Sequence, residues 1–165
     1  MKQLIIYVLS TLFLFSCIKE KQKGADLAVG DKIPDFSVIM NDGTEVTGQQ
    51  LSQGKSCIVF FTTLCPDCRE VLPHLQLLYQ EFVSKDVKFV LISREEGNET
   101  ISSYWIAQGF TMPYSAQEDR RVYELFAKTR VPRVYLCKNG KIEAVFTDEP
   151  QNPDYDTLKT AIENL

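Results

Sequence analysis

Residues 56–73, SCIVFFTTLCPDCREVLP, hold in one run an unbroken apolar segment, a pair of cysteines and the opening of an amphipathic pattern. Cys57 to Thr62 is apolar and β-branched with no polar break, which predicts a short strand covered on both faces of a sheet. Cys65-Pro66-Asp67-Cys68 follows at once. Proline suits the first helical position, where its missing N–H costs no hydrogen bond, so a helix is expected to begin between the two sulfurs. Beyond it, Val71, Leu72, Leu75, Leu78, Tyr79, Phe82 and Val83 recur at helical spacing and predict one buried stripe reaching about Ser84. Cys65 then stands at a helix N-terminus, where unpaired backbone N–H groups and the helix dipole favour an anion. It is the expected nucleophile, and Cys68 the expected resolving thiol. A structural disulfide or half of a metal site could use the same spacing. A zinc centre needs further ligands, however, and the chain has no second C-x-x-C pair and a single histidine, His74.

Outward toward the N-terminus, Met1 to Cys17 has the pattern of an export signal. Lys2 is the positive start, Leu4 to Phe15 the apolar stretch, and Leu14-Phe15-Ser16-Cys17 the end. The stretch is short for a bilayer span. Leu14 and Ser16 ahead of Cys17 resemble the lipobox of bacterial lipoproteins, although Phe15 is bulkier than that motif usually carries. The resemblance implies a signal peptide of residues 1–16, lipidation of Cys17, and attachment to a lipid bilayer through it. The alternative is an ordinary cleaved signal with Cys17 a bystander. Residues 17–27, polar and mixed in charge, read as a tether, and residues 28–165 as one folded domain with a sizeable core. The chain carries a net charge of −4; removing Met1 to Ser16 takes away only Lys2 and leaves −5, which argues against a nucleic-acid partner.

The remaining segments alternate strand and helix signals. Phe36 to Met40 and Thr44 to Thr47 flank the turn Asn41-Asp42-Gly43 and predict a hairpin; Gly48 to Gln53 reads as a short helix ending at Gly54. Val87 to Ser93 is a second buried strand. Asn98 is placed to cap a helix from about Glu99 to Gln108, stopped by Gly109. Phe110 to Ser115 is a short extended piece, and Asp119 is placed to cap a helix carrying Val122, Leu125 and Phe126. Arg133 to Cys137 and Ile142 to Phe146 flank Lys138-Asn139-Gly140-Lys141, a second hairpin. Asp154 is placed to cap a last helix from about Tyr155 to Asn164. Strand, helix, strand, helix implies a parallel sheet.

Pro34-Asp35-Phe36, the Asp42-Gly43 turn, Leu51-Ser52, Gly54-Lys55, the apolar strand and the C-x-x-C together resemble the TlpA-like membrane-anchored thiol-disulfide oxidoreductases of the thioredoxin superfamily, over about Ala28 to Phe146. The resemblance implies an α/β thioredoxin-like fold: a central mixed sheet flanked by helices, with an N-terminal β-hairpin and an extra strand-helix insertion. It implies thiol-disulfide exchange through Cys65 and Cys68 by way of a mixed disulfide, with Pro66 and Asp67 forming the active-site turn. The redox-active Cys65–Cys68 disulfide takes the place of any cofactor, and no metal is implied. Pro132 is expected to be cis and to face Cys65, leaving Val131 free to pair with a substrate backbone. Implied partners are protein disulfides or thiols and a membrane-linked electron donor. The implied location is the bacterial cell envelope, with the domain facing the periplasm.

Several positions depart from that pattern. The buried aspartate that many thioredoxins carry six residues before the first cysteine is Val59 here; the glutamate common in the TlpA-like branch is Val71, with Glu70 one position earlier and turned away by about 100°. No base for Cys68 is therefore visible. Leu64 replaces the usual tryptophan before the first cysteine. Cys57 and Cys137 read as small apolar core residues, with a disulfide between them left open. Arg130 and Arg133 flank Pro132 and are either solvated or available to an acidic partner. Asp67, ionised beside a Cys65 thiolate, repels it and so points to a reductant over an oxidant. Two other function classes compete. A peroxiredoxin-like peroxidase fits Thr62 but needs a proline where Ile58 stands; a non-catalytic binding module of the same fold lacks the C-x-x-x-C and distant histidine of copper carriers.

Overall fold

In a computed structural model, which describes residues 26–165, the chain opens with a hairpin of β1 (Ser37–Ile39) and β2 (Glu45–Thr47), paired antiparallel as a separate two-stranded sheet. The export signal of residues 1–16, Cys17 and the tether up to residue 25 lie outside the described residues. Asp26 and Leu27, the last two tether positions, are held on the domain: the Leu27 N–H donates to the Phe126 carbonyl at 2.8 Å, and Asp26 pairs with Arg133. The segment after β2 shortens to one 3₁₀ turn over Gln50–Ser52, anchored by the buried Leu51.

The apolar run becomes β3 (Lys55–Phe61), every residue of which from Ser56 on is buried. It leads into α1 (Pro66–Phe82), then β4 (Val87–Ser93), α2 (Asn98–Gln108), β5 (Tyr114–Ser115), the single turn α3 (Arg121–Glu124), the hairpin of β6 (Arg133–Lys138) and β7 (Lys141–Phe146), and α4 (Tyr155–Glu163). The strands form one mixed sheet in the order β5-β4-β3-β6-β7, with β3, β4 and β5 parallel and β6 and β7 antiparallel to their neighbours. This is the sheet that the resemblance implies. β3 lies in its middle, which is why the run has no polar alternation: both faces are covered. Phe61 meets Trp105 of α2 on one face, while Phe60 meets Tyr123 and Phe126 on the other. Trp105 donates its indole N–H to the Met112 carbonyl at 2.9 Å and is a buried packing residue.

Local expectations hold where a cap or turn decides them. Asp154 accepts a hydrogen bond from the Thr157 N–H at 2.8 Å and starts α4; Asn139 and Gly140, with φ of 50° and 77°, make the two left-handed positions of a type I′ hairpin turn. Others shift. Asn98 lies inside α2, with Gly97 at the cap, because its side chain turns instead to accept from the Tyr114 hydroxyl at 3.0 Å. Asp119 accepts from the Arg121 N–H, yet the helix lasts four residues, so Leu125 and Phe126 lie beyond it, Leu125 exposed and Phe126 buried. Val83 falls in a 3₁₀ turn after α1 and is exposed, which ends the buried stripe at Phe82. α1 runs on through Pro73, whose ring sits on the exposed side.

Register settles the two core cysteines. Cys57 stands opposite Leu136, and Cys137 opposite Ser56. Residues directly opposite share a face and neighbours on a strand alternate, so the two thiols point to opposite faces of the sheet and cannot be bridged. Both are buried and free; burial pushes the Cys137 thiol up to about 12 and the Cys57 thiol up as well.

Candidate active site

The site forms where β3 ends and β6 begins. Antiparallel register sets Phe60 opposite Arg133, so the segment leaving β3 and the segment entering β6 lie side by side. Thr62 and Thr63 continue β3 as buried residues, Leu64 then emerges at 72% exposure, and Cys65 takes the cap position of α1 in an extended conformation. Pro66 is the first helical residue, as its missing N–H favours. One turn geometry thus gives the two cysteines opposite environments. The Cys65 thiol is partly exposed at the helix start, while Cys68, one turn in, is completely buried. Burial pushes the Cys68 thiol well up; the backbone N–H of Thr62 opposes this, and the neighbouring Cys65 and Asp67 add to the rise.

Across the gap, the Val131–Pro132 peptide is cis, as the resemblance implies, and both residues are buried. The Cys65 Sγ lies 3.4 Å from the Val131 carbonyl oxygen and 3.9 Å from Asp67 Oδ2. The approach to this proline is held firmly. Arg130 sits at φ 72°, a conformation few side chains adopt, and its carbonyl accepts from the Tyr123 hydroxyl at 2.8 Å. Its guanidinium pairs with Asp148 at 3.1 Å and Glu149 at 2.6 Å. Arg133 is buried and pairs with Asp26 at 2.8 Å, while also donating to the Thr129 carbonyl. Arg133 is therefore engaged within the chain, which corrects the reading of it as solvated or open to an acidic partner, whereas Arg130 stays exposed, as read, with its charge met by Asp148 and Glu149.

Two side chains that pattern reading misses complete the surroundings. Asn152, in the loop before α4, donates from one amide nitrogen to Asp67 Oδ1 at 3.0 Å and to Glu70 Oε2 at 2.9 Å. Glu70 is exposed, yet it is bonded and not merely solvated. Glu96, in the loop between β4 and α2, is buried and accepts hydrogen bonds from Thr62 and Thr63 beneath the cysteine turn. Nothing local marks either residue: Asn152 stands between two prolines' worth of loop, and Glu96 follows an identical Glu95. His74, on the first helix, lies 3.5 Å from the Pro153 carbonyl and near the Asp154 carboxylate. Among the described residues no three His, Cys, Asp or Glu side chains converge as a metal site, and no helix is long and apolar enough to cross a membrane. A cleft of about 660 Å³, lined by Met40, Leu51, Lys55, Tyr79 and Val87 among others, lies at the far end of β3 from the cysteines.

An exposed thiol at a helix start, with a second thiol buried one turn behind it, can attack a disulfide and then be displaced from the resulting adduct. The chain is similar to known proteins. The model of the AhpC/TSA family matches residues 29–145. The thiol-disulfide oxidoreductase ResA of Oceanobacillus iheyensis is 30% identical over 148 residues, spanning 86% of this chain and 77% of that protein. Among solved structures, a thiol:disulfide interchange protein of the thioredoxin family from Chlorobium tepidum superposes with a TM-score of 0.69 at 21% identity, covering 84% of this chain and 97% of the other. StoA from Bacillus subtilis does so with a TM-score of 0.66 at 21% identity, covering 78% and 96%. At those identities the two structures speak for the fold alone. The family match and the ResA similarity go further: this chain belongs to the AhpC/TSA family of the thioredoxin superfamily, alongside the ResA-type thiol-disulfide oxidoreductases.

Proposed function

We propose that the chain reduces protein disulfides in the bacterial cell envelope by cycling Cys65 and Cys68, held to the membrane by a lipid on Cys17. The observation that carries the exchange reading is the contrast between the two thiols: Cys65 partly exposed, 3.4 Å from the Val131 carbonyl, and Cys68 buried behind it. The Cys65 thiolate attacks one sulfur of a substrate disulfide, that S–S bond breaks, and one substrate sulfur leaves with the electron pair and takes up a proton. Cys68 then loses its proton and its sulfur attacks Cys65 Sγ. The second substrate sulfur leaves, and the Cys65–Cys68 disulfide remains, two electrons having passed to the substrate. A membrane-linked dithiol donor restores the pair by the reverse exchange, so no other cofactor is needed. Val131 and Pro132 form the lip against which the substrate chain lies.

Three features support the finer points. Asp67, not a cation, shares the helix start with Cys65, which favours a reducing couple. The apolar start and Leu14-Phe15-Ser16-Cys17 support export and lipidation. Relatives named for thiol-disulfide exchange support protein disulfides as substrates. The test is capture of a mixed disulfide. With Cys68→Ser in the native envelope, a substrate protein should remain attached to Cys65 and be released by dithiothreitol, and Cys65→Ser should capture none. Peroxide consumption by the reduced protein at enzymatic rates, with no captured protein, would instead favour the peroxidase reading that Ile58 argues against.

A further inference from the structure

Glu96 is 7% exposed, and among the ion pairs of the described residues none includes it. A buried carboxylate without a cation is costly unless its lone pairs are filled by donors. Here the donors come from one two-residue segment. The Thr63 N–H donates to Oε2 at 2.7 Å, the Thr62 hydroxyl to the same oxygen at 3.2 Å, and the Thr63 hydroxyl to Oε1 in a short contact. Hydrogen bonds to a charged acceptor are about twice as strong as neutral ones, so this grip is firm. The carboxylate is itself mounted rigidly: the Glu96 carbonyl accepts from the Ser93 hydroxyl at 2.9 Å, and its backbone bridges to Gln117.

The gripped segment is the one that serves both cysteines. The Cys65 N–H donates to the Thr62 carbonyl at 3.3 Å, and the Arg69 guanidinium donates to the Thr63 carbonyl at 2.5 Å from within α1. The Thr62 N–H lies against the Cys68 thiol and is the one neighbouring group that favours its thiolate, against burial, Cys65 and Asp67. Cys65 has a second anchor in the start of α1 and the facing Val131, whereas Cys68 meets the Cys65 side chain and, from this segment, the Thr62 N–H.

We propose that Glu96 is a positioning residue of the redox pair: reaching over from the β4–α2 loop, it fixes Thr62 and Thr63 so that the Thr62 N–H supports Cys68 when Cys68 resolves a mixed disulfide on Cys65. The inference rests on the exchange reading above and adds a residue outside the Cys-Pro-Asp-Cys turn. It acts on the second chemical step. Cys68 gives up its proton, its sulfur bonds to Cys65 Sγ, and the bond from Cys65 to the bound thiol breaks, that thiol leaving with the electron pair.

Stopped-flow reaction of the reduced protein with one equivalent of the aromatic disulfide 5,5′-dithiobis(2-nitrobenzoate) separates the two steps. Attack by Cys65 releases a first thionitrobenzoate, and attack by Cys68 on the adduct releases a second. In Glu96→Ala the second phase should slow by about tenfold or more, a loss typical of a misplaced reacting group, while the first stays within about twofold. Glu96→Gln keeps the reach and can still meet both threonines, since the Thr63 hydroxyl can turn to accept, and it should recover most of the rate. If Glu96→Ala does not fold, Thr63→Val removes one of the three donors at constant shape and should slow the second phase by about threefold. Equal slowing of both phases, or no slowing of the second in either variant, overturns the proposal. A wild-type protein that never releases a second equivalent overturns the exchange reading itself, an outcome distinct from a variant that matches wild type.

Discussion

The sulfur of Cys65 and the carbonyl oxygen of Val131 lie 3.4 Å apart, although 66 residues separate them in the chain. The contact exists because β3 and β6 are antiparallel neighbours, which brings the residues after Phe60 beside those before Arg133. It sets the partly exposed thiol beside the Val131 carbonyl, and it leaves Cys68, one helical turn away, in the interior.

That difference in access sets the order of alkylation. In the folded, reduced protein, Cys65 should react with iodoacetamide at least about tenfold faster than Cys57, Cys68 or Cys137, because those three are buried and burial pushes their thiols up. Peptide mapping of partially alkylated protein reads the order directly. First reaction at Cys57 or Cys137 would sink the site assignment.

Asp67 lies 3.9 Å from the Cys65 sulfur and should set the redox poise. A carboxylate there disfavours the thiolate and hence the reduced form, so the couple should lie nearer the about −270 mV of thioredoxin than the about −120 mV of the strongest oxidants. Equilibration with glutathione or dithiothreitol buffers measures it. Asp67→His should move the potential upward; a wild-type value on the oxidising side of about −180 mV would contradict the reductant reading.

Asn152 restrains that same carboxylate and Glu70 together. Asn152→Ala should cost about 1–2 kcal/mol, read as a lower urea midpoint. Asn152→Asp should cost more at pH 7, because it sets a third carboxylate against two others. Equal midpoints for both variants at pH 7 would show that Asn152 does not hold the two acids together.

Between α1 and α4, Glu81 accepts from the Tyr155 hydroxyl at 2.5 Å and pairs with Lys159 at 2.9 Å. These hydrogen bonds, the Tyr155 contact first, hold its carboxyl down at about 2 from an ordinary 4.5. A carboxyl lowered on folding contributes stability that is complete above its unfolded value and is lost as the pH falls through the folded one. Glu81→Gln should therefore be less stable than wild type at pH 7, and the gap between them should narrow below about pH 4.5 and close near pH 2. Urea titrations at pH 7, 4 and 2 test this; a gap that persists at pH 2 would assign the effect to packing.

Much of this protein was legible from short-range signals. The apolar run at 57–62, Pro66 between the cysteines, Asp154 ahead of α4, Gly109 after α2 and the Asn139-Gly140 turn each act within a few residues. Their outcome therefore depends on local sterics and on hydrogen bonds that the sequence displays. What those signals could not determine was which side chains meet across elements. Cys57 and Cys137 face away from one another because the β3–β6 register pairs Cys57 with Leu136. Asn98 leaves the cap of its helix for Tyr114, and Arg133 is drawn inward by Asp26, 107 residues earlier. Glu96 and Asn152 reach the cysteine turn from loops 33 and 85 residues away from the groups they bind. A buried polar group must be satisfied by whatever donor or acceptor the packed chain brings within about 3 Å, and only the closing of the sheet and its helices decides which one that is.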